Sequence, residues 1–143
     1  MNLIKPYERK ALYYETDQMA IIHHSNYVRW LEEARIDLMD QMGISYRNME
    51  DMGILIPVLA VACEYKHPVR FDETVLIETA ITRFNGIKFD ASYRIIGKEN
   101  GQLKLTGSSK HCFVNRNMVP IRLKKDFPEI YDKFQQVINE LTE

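Results

Sequence analysis

Tyr13-Tyr-Glu-Thr-Asp-Gln-Met-Ala-Ile-Ile-His-His-Ser-Asn-Tyr27 is a polar turn that runs straight into the longest helical pattern of the chain. Ser25 or Asn26 suits an N-cap. From there Tyr27, Leu31, Ala34, Leu38 and Met42 recur at spacings of four and three, so they share one face, with Trp30 close to it. Arg29, Glu32, Glu33, Asp37 and Asp40 fall largely elsewhere, and Arg29 can pair with Glu33 four residues on. Gly43 stops the pattern, which predicts a helix over about residues 26–42. One long helix with an apolar face must cover a sheet.

The rest of the chain supplies that sheet. Residues 5–14 carry moderate strand signal, and 45–52 read as a short second helix closed by Gly53. Ile54-Leu-Ile-Pro-Val-Leu-Ala-Val-Ala-Cys63 is a nearly unbroken apolar run, which predicts a strand buried on both faces, with Pro57 removing one ladder donor. Thr74 to Phe84 is rich in β-branched residues, and Asn85-Gly86 signals a type I′ hairpin turn. Phe89, Ala91, Tyr93 and Ile95 then alternate with polar residues. Asn100-Gly101 marks a further turn before a strand over about 102–114. Pro128 opens a C-terminal helix with Ile130, Phe134, Val137, Ile138 and Leu141 on its apolar side. Strands joined by such short turns are antiparallel. The fold class is therefore α+β: an antiparallel sheet wrapped around one long central helix, plus a C-terminal helix. An open sheet edge would invite dimerisation.

A chain of 143 residues fits a single domain, 1–143, burying roughly 68% of its unfolded surface. The net charge of −1 gives no global field for nucleic acid, so an anionic ligand needs a local basic patch. Cys63 and Cys112 lie far apart, which is neither a disulfide framework nor a metal motif, and both read as reduced, buried thiols. Met1-Asn-Leu-Ile-Lys-Pro6 lacks the apolar run of a signal peptide, and no window reaches the ~18 apolar residues of a membrane span. The expected location is the cytoplasm.

Chemistry concentrates in the opening stretch. Asp17 is a carboxylate just ahead of a helix N-terminus, whose unpaired N–H groups and partial positive charge can hold a developing oxyanion. Apolar Met19 to Ile22 would desolvate it. Thr-Asp pairs also stabilise turns through their own backbone, so this spacing alone carries a bland reading beside the catalytic one. His23 and His24 could form a metal site with Asp17, but adjacent histidines in a strand-like loop tend to point apart and His67 and His111 are distant in sequence, so no metal is expected. His24 orients the loop or touches a substrate carbonyl, while Tyr27 is either core or a hydroxyl at a pocket mouth. Glu32 and Glu33 read as a solvated face. No GxSxG elbow, GxGxxG or P-loop is present.

Tyr14-Glu-Thr-Asp-Gln-Met19, His24-Ser-Asn-Tyr27, Trp30-Leu-Glu-Glu-Ala-Arg35 and Tyr65-Lys-His-Pro-Val-Arg-Phe-Asp-Glu73 together resemble the signature of the hot-dog-fold acyl-CoA thioesterases, 4-hydroxybenzoyl-CoA thioesterase family. The resemblance runs from about residue 5 to 123. It implies that Asp17 is the catalytic carboxylate, as nucleophile or general base, and that backbone N–H groups around His24 and Ser25 polarise the thioester carbonyl. It implies a homodimer, often assembled into a homotetramer, with active sites at subunit interfaces. No cofactor is implied, coenzyme A being part of the substrate. Where many members carry small residues after the Thr-Asp pair, this chain has Gln18, Met19 and Ala20.

Coenzyme A phosphates need Lys or Arg. Lys88 and Arg116 are the first candidates, with Arg83 on the other side of the Asn85-Gly86 turn. The same residues leave three other activities open: a non-catalytic acyl-thioester binding protein, an acyl-carrier-protein thioesterase, and a hydroxyacyl-thioester dehydratase.

Overall fold

The computed structural model describes residues 4–142, with side chains through 138. Met1 to Leu3 and the Leu141 side chain therefore lie outside the described residues. The elements are β1 (Tyr7–Lys10), α1 (His24–Gln41), α2 (Tyr46–Asp51), β2 (Val58–Tyr65), β3 (Thr74–Phe84), β4 (Lys88–Gly97), β5 (Leu103–Cys112), α3 (Leu123–Asp126) and α4 (Pro128–Thr142). The strands form one antiparallel sheet in the order β1-β3-β4-β5-β2. Helix α1 lies against it, burying Tyr27, Trp30, Leu31, Ala34, Leu38 and Met39 against sheet residues that include Ile77, Ala91, Ile95 and Leu105. This is the hot-dog arrangement that the resemblance implies.

Four local expectations need correction. Helix α1 starts two residues early, and its N-cap is His23, not Ser25 or Asn26; the His23 ring accepts from Ser25 N–H, the job usually given to a Ser or Asp oxygen. Arg29 does not pair with Glu33. Its guanidinium donates to Asn26 Oδ1, while Glu33 takes Arg9 and the Tyr7 hydroxyl from β1. The Asn85-Gly86 turn is not type I′, because only Gly86 has positive φ (+84°). Asn85 Oδ1 instead accepts from the N–H groups of Ile87 and Lys88, an Asx turn that fixes the loop with one left-handed residue.

The last correction concerns β2. It is an edge strand, paired only with β5, and it is exposed along most of its length: Val58 and Tyr65 are each 53% accessible, and Leu59 and Val61 are exposed as well. The apolar run thus divides. Its first residues, Ile54 and Ile56, enter the core, and the strand proper lies outside it. Pro57 sits just before the strand, where a missing N–H is harmless.

Beside the β3–β4 turn α4 brings Phe134 onto a ring cluster. Phe134 stacks on Phe84 with centroids 4.9 Å apart and touches Phe89 and Phe113. The two cysteines are free and half-buried, and burial raises the Cys63 thiol above its ordinary range. Among the described residues no helix is long and apolar enough to cross a membrane.

Candidate active site

Glu15 organises the approach to the site. It is 3% exposed, a burial that a carboxylate tolerates only when fully bonded. Arg9 grips it with two nitrogens at 3.0 and 2.9 Å, Trp30 Nε1 donates at 2.8 Å, and Leu12 N–H donates at 2.8 Å. Burial alone would raise its pKa. The donors from Trp30, Leu12 and Arg9 outweigh that and hold it below the usual carboxylate range. The Glu15 carbonyl in turn accepts from His23 N–H at 2.8 Å and from Asn26 Nδ2 at 2.9 Å. One residue therefore ties β1, the Thr16–Asp17 turn and the start of α1 together.

Beyond that anchor the chain makes a tight reversal. Asp17 N–H donates to Ile21 O, Ala20 N–H donates to Asp17 O, and Thr16 pairs with Ile22. Ala20 takes φ of +62°, a left-handed conformation that costs a residue with a Cβ about 1 kcal/mol. Asp17 Oδ1 accepts from Met19 N–H at 2.8 Å, which fixes the carboxylate's orientation. Oδ2 has no partner among the described residues. The expected desolvating segment is only partly buried: Met19 is exposed, Ile21 is intermediate and Ile22 is in the core. The loop docks on the segment between β2 and β3, with Ile22 N–H donating to Val69 O at 2.8 Å and Ile21 bridged to Arg70.

A cleft of about 290 Å³ opens between these two segments and the first turn of α1. Asp17, His24 and Tyr27 line it, and so do Met19, Ile21 and Pro68. Tyr27 is buried, and its hydroxyl oxygen accepts from Val69 N–H at 3.2 Å, so it serves the core and the cleft wall at once. Burial raises its pKa. His23 and His24 do not point apart as adjacent loop residues would: at the turn into α1 their rings stack with centroids 4.3 Å apart. Ser25 does not line the cleft, and its N–H is taken by His23 Nδ1 at 3.2 Å. The His24 N–H, in contrast, has no acceptor among the described residues.

The proposed phosphate ligands lie apart from this cleft within one chain. Arg83 and Lys88 meet with Lys110 along a second cleft of about 610 Å³ beside the β3–β4 turn. Arg116 is elsewhere, donating to the carbonyls of Glu50 and Asp51 at the end of α2. Among the described residues no group of three or more His, Cys, Asp or Glu side chains is placed to hold a metal.

Four residues of the cleft were not candidates from the sequence: Tyr65, Lys66, His67 and Pro68. Tyr65 closes on Tyr27 with ring centroids 5.5 Å apart. They lie far along the chain from Asp17, and the pairing of Ile21 and Ile22 with Arg70 and Val69 carries them to it. Their one sequence signal was their place in the Tyr65–Glu73 motif.

Residues 12–137 match the model of the thioesterase-like superfamily. The chain is similar to YneP of Bacillus subtilis, 35% identical over 90% of this chain and 94% of that protein. It is also similar to the acyl-CoA thioester hydrolase YbgC of Escherichia coli, 29% identical over 81% and 87%. Among solved structures, a DHNA-CoA thioesterase from Staphylococcus aureus superposes with a TM-score of 0.90 at 32% identity, covering 97% of this chain and 95% of that one.

Proposed function

The chain belongs to the thioesterase-like superfamily, and from that premise we propose that it is a thioester hydrolase that splits an acyl-CoA into free acid and coenzyme A, with Asp17 as the working carboxylate. The observation that carries this reading is the fixed Asp17 side chain in a cleft at the start of α1. One oxygen is held by Met19 N–H and the other is free to act. As nucleophile, Oδ2 attacks the acyl carbon and forms an anhydride. As general base, it takes a proton from water. The unpaired His24 N–H at the positive end of α1 is the donor we assign to the developing oxyanion. Arg83 and Lys88 are the proposed ligands of the coenzyme's phosphates, with Arg116 as a further candidate.

We propose further that two copies of the chain pair through β2. Its outer edge offers unpaired backbone groups beside Val58, Leu59 and Val61, the kind of edge that another chain completes. Tyr65 belongs both to that edge and to the cleft, so a partner seated there would wall the site. It would also offer its own phosphate ligands, which lie far from Asp17 in a single chain. Two free thiols suit a reducing cytoplasm.

The test is thiol release across a panel of acyl-CoA substrates. The protein should release thiol, and Asp17→Asn should lose about a thousandfold in turnover while keeping its helix content. Near-full turnover by Asp17→Asn would remove the carboxylate from the mechanism. Stable acyl-CoA binding without thiol release would make the protein a binding module instead.

A further inference from the structure

We propose that His67 is the general base of the water-dependent half of the reaction, an inference that rests on the thioester-hydrolase reading above. His67 lines the same cleft as Asp17. Its backbone N–H donates to Lys104 O at 3.1 Å, beside the bond from Lys66 N–H to the same oxygen at 2.9 Å. Lys104, itself buried and paired with Glu73 at 2.9 Å, also donates from Nζ to the carbonyl of the next residue, Pro68. The ring is held too, with Nδ1 lying 3.0 Å from the carbonyl oxygen of Leu103. A carbonyl only accepts, so Nδ1 carries the proton and Nε2 carries the lone pair. Nε2 has no partner among the described residues.

No other histidine offers this combination. His23 spends Nδ1 on the helix cap, His111 is enclosed in the core, and nothing fixes the tautomer of His24. The frame that holds His67 also holds Asp17, because Val69, two residues on, accepts from Ile22 at the end of the Asp17 turn.

The chemistry divides between the two groups. Asp17 Oδ2 bonds to the acyl carbon, the carbon–sulfur bond breaks, and the thiolate departs with the electron pair. Water then attacks the acyl carbon of the anhydride while its proton passes to His67 Nε2. The bond from that carbon to Oδ2 breaks, which restores the Asp17 carboxylate and frees the acid. The acid ionises to solvent, and the proton on Nε2 goes to the thiolate, giving free coenzyme A.

The test uses His67→Asn and an acyl-CoA that the wild-type protein hydrolyses. Asparagine keeps a donor for the Leu103 carbonyl and deletes Nε2. Expected is a rapid release of thiol approaching one per site, followed by a steady state slower by about a hundredfold or more. An acyl adduct should appear on Asp17 by mass spectrometry. His67→Ala, run beside it, should regain turnover with added imidazole. Turnover close to wild type in His67→Asn reduces His67 to an anchor and overturns the proposal. So does a slow variant that shows no burst and no imidazole rescue. Absence of thiol release by the wild-type protein would overturn both this inference and the reading beneath it, and is thereby told apart from failure of His67 alone.

Discussion

The hydroxyl of Tyr93 on β4 lies 3.0 Å from Arg35 Nη1 on α1, inside the interface between helix and sheet. Arg35 is 6% exposed, and no carboxylate pairs with it among the described residues. Its charge is met instead by a chain of neutral groups. Arginine only donates, so the Tyr93 oxygen accepts from it, and the phenol proton goes to Ser109 Oγ at 2.6 Å. Ser109 then gives its one proton to His111 Nε2 at 2.7 Å. The sequence of bonds has one direction, set by the guanidinium. Arg35 Nε remains without a partner, so the array has no slack.

Tyr93→Phe should therefore cost more than an ordinary lost hydrogen bond. It leaves a buried cation without its acceptor, a loss of about 2–3 kcal/mol or more. Urea unfolding at neutral pH measures it. A loss below about 0.5 kcal/mol would mean that water reaches Arg35.

His111 gives the fold a weakness on the acid side. Burial first, and the Arg35 charge second, push its pKa down to about 4, against a slight upward pull from the Pro57 backbone. The unfolded imidazole takes its proton near pH 6.5. Between those values the unfolded chain binds more protons than the native one, so stability falls as pH drops from 6.5 towards 4. A shift of this size corresponds to about 3 kcal/mol at most. Denaturation midpoints at pH 7 and pH 5 read this directly, and His111→Gln should flatten the difference.

Glu15→Gln tests the anchor ahead of Asp17. The native carboxylate has a lowered pKa, so its contribution is present at neutral pH and disappears as pH falls through the acid range. The amide leaves Glu33 as the one carboxylate on Arg9 and puts an unpaired donor in the core, a cost of about 2–4 kcal/mol. Because the same residue holds the Asp17 turn, kcat should fall more than KM changes. Thermal unfolding and steady-state kinetics on one preparation check both halves.

Ala20→Gly should go the other way. Glycine adopts φ of +62° without strain and offsets part of that gain by its greater freedom in the unfolded chain. The net stabilisation is about 0.5 kcal/mol, read as a small rise in Tm. A fall in Tm would show that the Ala20 methyl is packed usefully.

Much of this was legible from the residues because helix and strand periods are local. The stripe Tyr27 to Met42, the β3–β4 hairpin and the Pro128 helix all follow from spacing. The status of β2 was not legible. An apolar strand reads the same whether its residues lie in a core or along an open edge, and the choice depends on sheet order, which places β2 last. His23 as a cap was hidden because imidazole nitrogen rarely replaces a Ser or Asn oxygen. The place of Asp17 just before the helix is readable along the chain, whereas His67 reaches the same cleft only through tertiary pairing. The buried run Arg35–Tyr93–Ser109–His111 is spread over three elements, each member looking like an ordinary surface or strand residue.

The position of β2 also sets a schedule for synthesis. Val58 finds its mate in His111, so the whole β3–β4 hairpin must be made before the strand has anything to zip against. During that interval a sticky ribbon of Val, Leu and Ala hangs from the nascent chain, a natural handle for a chaperone and the first place where crowded copies would tangle.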